Sequence, residues 1–237
     1  MHYSFITEFK QNFIEGARWE YLVNGLKTTL IVTVGAVLLG FLIGFMVAIV
    51  RSTHDKTGRF KVLNVFCKIY LTVIRGTPMV VQLMIMYFVI FGSVVFFGSV
   101  ELSKYIVAIL AFGINSGAYV AEIVRSGIMS VDGGQLEAGR SLGFSYRQTM
   151  MFIILPQAFK AILPALANEF IVLLKETSVA GYIGIVDLTK GGDIIRSQTY
   201  SAFMPLIAVA MIYLIMVMIL SHLVMRLERR LAKSDRN

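Results

Sequence analysis

Residues 105–129 form an apolar stretch that nonetheless carries Asn115, Ser116, Tyr119, Glu122 and Arg125. The chemistry these groups offer is recognition rather than bond-making. A carboxylate at Glu122 attracts an ammonium or guanidinium, Asn115 and Ser116 can hydrogen-bond a carboxylate, and the Tyr119 phenol can shape a pocket. At about 100° per residue, Asn115, Tyr119, Glu122 and Ser126 fall within about 60° of one another on a helix, with Ala108 and Ala111 extending the stripe. A carboxylate in such a setting costs several kcal/mol unless protein, water or a partner faces it. Two readings of Glu122 stay open: a local ion pair with Arg125, one turn on, and contact with a small solute. No nucleophile–base pair is visible. His2, His54 and His222 are scattered, and the single Cys67 has no second thiol, so neither an enzyme nor a metal site is expected.

The elements that must position these residues are membrane helices. Of 237 residues, 57% are hydrophobic and only 15% charged, with a mean hydropathy of +0.76; a soluble domain carries about 25% charged residues. Thr28–Val50 and Gly76–Val100 are uncharged runs of 23 and 25 residues, long enough to span a bilayer core of about 30 Å. The spacing predicts an all-α integral membrane protein, one domain over 1–237, with five transmembrane helices at about 22–50, 76–100, 105–129, 163–186 and 197–225, and a long loop at about 130–160. Pro78 should break the helix at Arg75-Gly76-Thr77-Pro78. Asn64–Ile74, apolar but carrying Lys68, reads as an interfacial or partly inserted lead-in to the second span. Ala36, Gly40, Gly44 and Ala48 recur every four residues, a stripe that lets helices approach closely. Glu8, Lys10, Glu15, Arg18, Glu20 and Lys27 interrupt the start of the chain, so no cleavable signal peptide is expected.

The net charge of +8 belongs to the membrane loops rather than to a nucleic-acid partner. With five spans, one set of helix ends (51–75, 125–160, 226–237) holds 15 Lys and Arg, and the opposite set holds 6. The positive-inside bias then places the N-terminus outside and the C-terminus in the cytoplasm, together with the 130–160 loop.

That loop contains Glu137-Ala138-Gly139, then Gly143, then Ile153-x-Leu155-Pro156. The pattern resembles the EAA loop of permease subunits of bacterial ABC importers. The third position there is usually alanine; Gly139 weakens a helix by roughly 1 kcal/mol relative to Ala. Three further segments are similar to the polar amino-acid branch of that family (histidine, glutamine, arginine and opine uptake). They are Arg75-Gly76-Thr77-Pro78, Gly117-Ala118-Tyr119-Val120-Ala121-Glu122-Ile123-Val124-Arg125, and Leu174-Lys175-Glu176-Thr177-Ser178. Together the segments cover about 75–178 in the family's order.

The resemblance implies a type I ABC importer permease fold in a bacterial cytoplasmic (inner) membrane, crossing it several times. It implies two ATP-binding subunits, a second permease copy or close relative, and an extracytoplasmic amino-acid-binding protein. Glu137, Ala138, Gly139 and Gly143 would dock on the ATPase, while Asn115, Ser116, Tyr119 and Glu122 would contact an amino-acid substrate, with a lean to basic ones such as arginine, lysine and histidine. The chain has no G-x-x-x-x-G-K-[ST] phosphate loop, so it is expected to bind no cofactor itself, ATP and Mg being held by the partner ATPase. The alternative is an ion-coupled secondary amino-acid transporter using Glu122, Glu169 and Glu176 as intramembrane carboxylates; the EAA-like loop has no purpose in it. Asn168 shares a helix face with Lys175, and Glu169 with Glu176. For Lys175 and Glu176 the favoured reading is structural, beside an interrupted Thr177–Gly184 segment.

Overall fold

The computed structural model describes residues 5–233. The described residues contain no strand. The helices are α1 (Phe5–Phe9), α2 (Trp19–Thr57), α3 (Lys61–Arg75), α4 (Met79–Met84), α5 (Val100–Met129), α6 (Gly133–Ser141), α7 (Tyr146–Thr149), α8 (Leu155–Glu176), α9 (Leu188–Thr199) and α10 (Phe203–Lys233). Four helical runs are long and apolar enough to cross a membrane: Trp19–Thr57, Val100–Met129, Tyr146–Ile183 and Phe203–Leu231. The pair Lys61–Arg75 and Met79–Ile90, bent by 106°, makes a fifth when taken as one broken span.

The bend follows from local backbone chemistry. Pro78 is extended (φ −65°, ψ 139°), so α3 stops at Arg75 and α4 starts at Met79. Proline also drives the preceding residue away from helical angles. Asn64–Ile74 forms the body of a 15-residue helix that leads into the second span across this bend. The uncharged run after it is continuously helical only over Met79–Ile90 and later passes through a left-handed turn at Phe97 (φ 52°).

The last uncharged run also divides. Asp187 caps α9 by accepting from the amides of Thr189 and Lys190, and α9 continues through Ser197 until Tyr200 turns left-handed (φ 55°). Lys190, Asp193 and Arg196 brace α9 from within, with ion pairs of 2.8 and 2.6 Å. Uncharged composition alone did not reveal this break.

The chain packs as two compact units, to which several of the long helices each contribute residues. The first comprises Met1–Ala36, Pro78–Phe112 and Ile171–Ser221. Its apolar cluster includes Phe13, Leu22, Leu188, Ile195, Met204 and Val209. Two buried hydrogen bonds tie it, Leu188 N to Thr29 Oγ1 at 3.1 Å and Thr199 Oγ1 to Asn12 Oδ1 at 2.8 Å.

The second comprises Val37–Thr77, Gly113–Phe170 and His222–Asn237. Ala48, Val120, Val124, Ile128, Ile154, Ala158, Ile162 and Leu166 form its main cluster. Here the small-residue stripe of α2 meets α5. A Cβ on Gly40 would stand 3.0 Å from Ser116 Cβ, and one on Gly44 would collide with Val120. The two backbones approach closely because those positions carry no side chain.

Candidate functional site

The polar residues of α5 do not form one group. Ser116 and Glu169 are both buried, and the Ser116 hydroxyl donates to Glu169 Oε1 at 3.0 Å. Asn115 is buried as well, at 3% exposure. Ser116 lies about 100° round the helix from Asn115, so a different neighbour receives it. Glu169 supplies that neighbour: an acid within an apolar span was legible in the sequence, but its partner was not.

Glu122 sits in a separate cluster of guanidinium groups, all in the second unit. Arg125 Nη2 donates to Glu122 Oε1 at 2.6 Å, and Arg51 Nη1 to Oε2 at 3.4 Å. Arg75 Nη1 stands 4.0 Å from Oε2. Arg125 also reaches Asp55 Oδ2 at 3.4 Å. The Arg75 guanidinium lies 5.6 Å from the centre of the Tyr119 ring, within range of a cation–π attraction. Tyr70, against the same stretch of α5, donates its hydroxyl to Ile114 O at 2.6 Å.

The pairing of Glu122 with Arg125 is thus present, and Arg51 and Arg75 join it from outside α5. Sequence reasoning missed both, because a basic residue at the end of an uncharged run reads as a topology signal. The arrangement surrounds one carboxylate with three guanidinium groups, of which Arg125 makes the shortest contact.

The second candidate site is the 130–160 loop, which is mostly helical. Asp132 caps α6, accepting from Gly134 N at 2.7 Å. At the other end Gly143 is left-handed (φ +87°). Its amide donates to Arg140 O at 3.0 Å, and Phe144 N donates to Gly139 O at 3.0 Å. This pair of bonds closes a glycine-ended helix. Ser145 and Gln148 then form a capping box that starts α7.

The first turn of α6 carries no acidic residue, and Glu137 is the fifth residue of the helix. The carboxylate at the helix start is Asp132 instead, the position the macrodipole favours. Gly139 faces inward against Thr149, while Glu137, Ala138, Ser141 and Leu142 are exposed, Leu142 at 76%. A short helix capped at both ends thus presents a mixed face of Glu137, Ala138, Ser141 and Leu142.

The family described as "Binding-protein-dependent transport system inner membrane component" matches residues 40–233. The arginine transport system permease protein ArtQ of Bacillus subtilis is 36% identical over 215 residues, the alignment covering 91% of this chain and 94% of that protein. The glutamine transport system permease protein GlnP of Escherichia coli K12 is 37% identical, with 89% and 92% covered. A solved amino acid ABC transporter, crystallised with histidines, is 40% identical, with a TM-score of 0.83, covering 97% of this chain and all of that one. An inward-facing MetNI methionine transporter shares the fold at a TM-score of 0.74 and 21% identity, with 90% and 97% covered.

Proposed function

This chain belongs to the family of binding-protein-dependent transport system inner membrane components, and we propose that it is the membrane-spanning subunit of an ATP-driven importer of polar amino acids. Two copies of it, or one copy with a close relative, would pair with two ATP-binding subunits and receive substrate from an extracytoplasmic binding protein. ATP and Mg would be held by the ATPase. The membrane would be the bacterial cytoplasmic membrane, with the N-terminus outside and α6 on the cytoplasmic side.

The observation that carries this reading is α6. It is capped at Asp132 and closed at Gly143, and it exposes Glu137, Ala138, Ser141 and Leu142. An ordered helix in a loop between long membrane helices has a purpose when a partner seats on it. An ion-coupled transporter gives it none.

Substrate would pass the polar stripe of α5, where Asn115, Ser116, Tyr119 and Glu122 contribute, with Glu169 orienting Ser116. In the lean to basic amino acids, Glu122 would exchange Arg125 for a cationic group of the cargo. Reconstitution with the ATPase and binding protein in vesicles tests the whole reading. Labelled arginine, histidine or glutamine should accumulate only with ATP on the ATPase side. Uptake driven by a proton or sodium gradient without ATP would establish the secondary transporter instead.

A further inference from the structure

We infer that a cationic cavity on α3, beside the Glu122 cluster, holds the phosphate of an anionic phospholipid. The cavity has a volume of about 430 Å³ and is lined by Arg51, Lys68, Leu71, Thr72, Arg75 and Gly76. Three of these six carry positive charge, and none is acidic. Counting the neighbours that face them, four cations (Arg51, Lys68, Arg75 and Arg125) meet two carboxylates, Glu122 and Asp55.

The surplus positive charge sits on the cavity wall. Lys68 makes no ion pair among the described residues. Arg75 reaches Glu122 only at 4.0 Å. Arg51 Nε is buried and has no hydrogen-bond partner. Uncompensated charge in a low-dielectric setting is costly, and a phosphate, with several acceptor oxygens, matches this donor set. Gly76 also lines it, at the end of α3, with its amide donating to Thr72 O at 3.0 Å.

The helix that carries the cavity also has a place for acyl chains. Lys68, Thr72 and Arg75 form one ridge of α3, and Val65, Ile69 and Val73 form the adjoining ridge. The apolar ridge is open, with exposures of 54%, 55% and 54%, and Phe66 beside it is 66% exposed. A free anion would use only the charged ridge. A phospholipid uses both, its headgroup on the cations and its chains along the valines and isoleucine, as interfacial amphipathic helices do.

The test is native mass spectrometry and lipid titration of the purified full-length chain in detergent. Phosphatidylglycerol is compared with phosphatidylcholine of the same acyl chains. One phosphatidylglycerol per chain should be retained where phosphatidylcholine is lost. Lys68→Gln should weaken retention about 5-fold, the effect of one membrane-surface cation on an anionic lipid. Lys68→Arg should restore it, and the exposed position of Lys68 leaves thermal stability unchanged in both variants.

Equal retention of the two lipids, or unchanged retention in Lys68→Gln, overturns the inference. Displacement by inorganic phosphate at matching concentration would assign the cavity to a free anion, and displacement by arginine or glutamine would assign it to transported cargo; either result also overturns the lipid. The measurement needs no ATPase, so failure of ATP-driven uptake would leave it intact.

Discussion

Gly139 and Thr149 share one space in the fold: a Cβ built on the glycine would stand 2.5 Å from Thr149 Cγ2 and 2.8 Å from its Oγ1. Both residues are buried, and the Thr149 hydroxyl is already held by Ser145 O at 3.1 Å. The alanine usual at this position of the family's loop cannot be accommodated beside this threonine unless something shifts. The missing methyl therefore has a packing reason, which offsets the lower helix propensity of glycine.

Gly139→Ala should accordingly destabilise the loop by about 1–3 kcal/mol through overpacking, despite the better helix former. Adding Thr149→Ala should recover most of the loss, and the pair should show strong coupling in a double-mutant cycle. Thermal melts of the four proteins in detergent check this; additive effects would show that the two side chains do not compete.

Gly143→Val should cost about 1–2 kcal/mol locally, because a β-branched residue is forced into the left-handed region. No atom lies within 4 Å of the added Cβ, so strain rather than collision is the cause. Membrane insertion should stay normal while copurification of the ATPase and ATP-driven uptake fall sharply. Retained uptake would count strongly against α6 as the docking element.

Glu122→Gln removes the carboxylate on which Arg125, Arg51 and Arg75 converge. Uptake of cationic amino acids should fall roughly tenfold relative to neutral ones, the scale of one charge-assisted hydrogen bond, while ATP hydrolysis persists. Partial exposure of the cluster keeps the loss of stability to about 1–2 kcal/mol. Competition uptake assays with arginine and glutamine decide the matter: unaltered selectivity with lower yield would confine Glu122 to a structural role.

Asp193, in α9 outside the membrane helices, gives a pH dependence. Its hydrogen bonds to Lys190 and Arg196 hold its carboxyl below the usual aspartate range. The folded value is depressed, so the stabilisation is fully present above the unfolded value of about 4 and is lost as pH falls through the folded one. Asp193→Asn should flatten this acid limb. The group is partly exposed, so high salt should shrink the difference. Melts from about pH 6 down to about pH 3 at two salt concentrations measure it.

Much of this protein was legible along the chain because its physics is local. Low charge and long apolar runs require membrane helices, whatever their packing. Pro78 breaks a helix by lacking an amide, and the EAA-like pattern marks a loop that proves to be an ordered helix closed at Gly143. The pairing of Glu122 with Arg125 also lies within one helix turn and could be named from spacing.

Partners from other helices could not. Arg51 and Arg75 join Glu122 only because the ends of α2 and α3 come against α5, and Ser116 finds Glu169 rather than the stripe it was grouped with. The space that Gly139 leaves is filled by a residue ten positions away. The turn at Tyr200 divides an uncharged run that composition reads as one. Periodicity defines the faces of each helix, but the rotation and rise of one helix against another depend on packing of the whole chain. That packing decided which charges meet, and with them the composition of the candidate site.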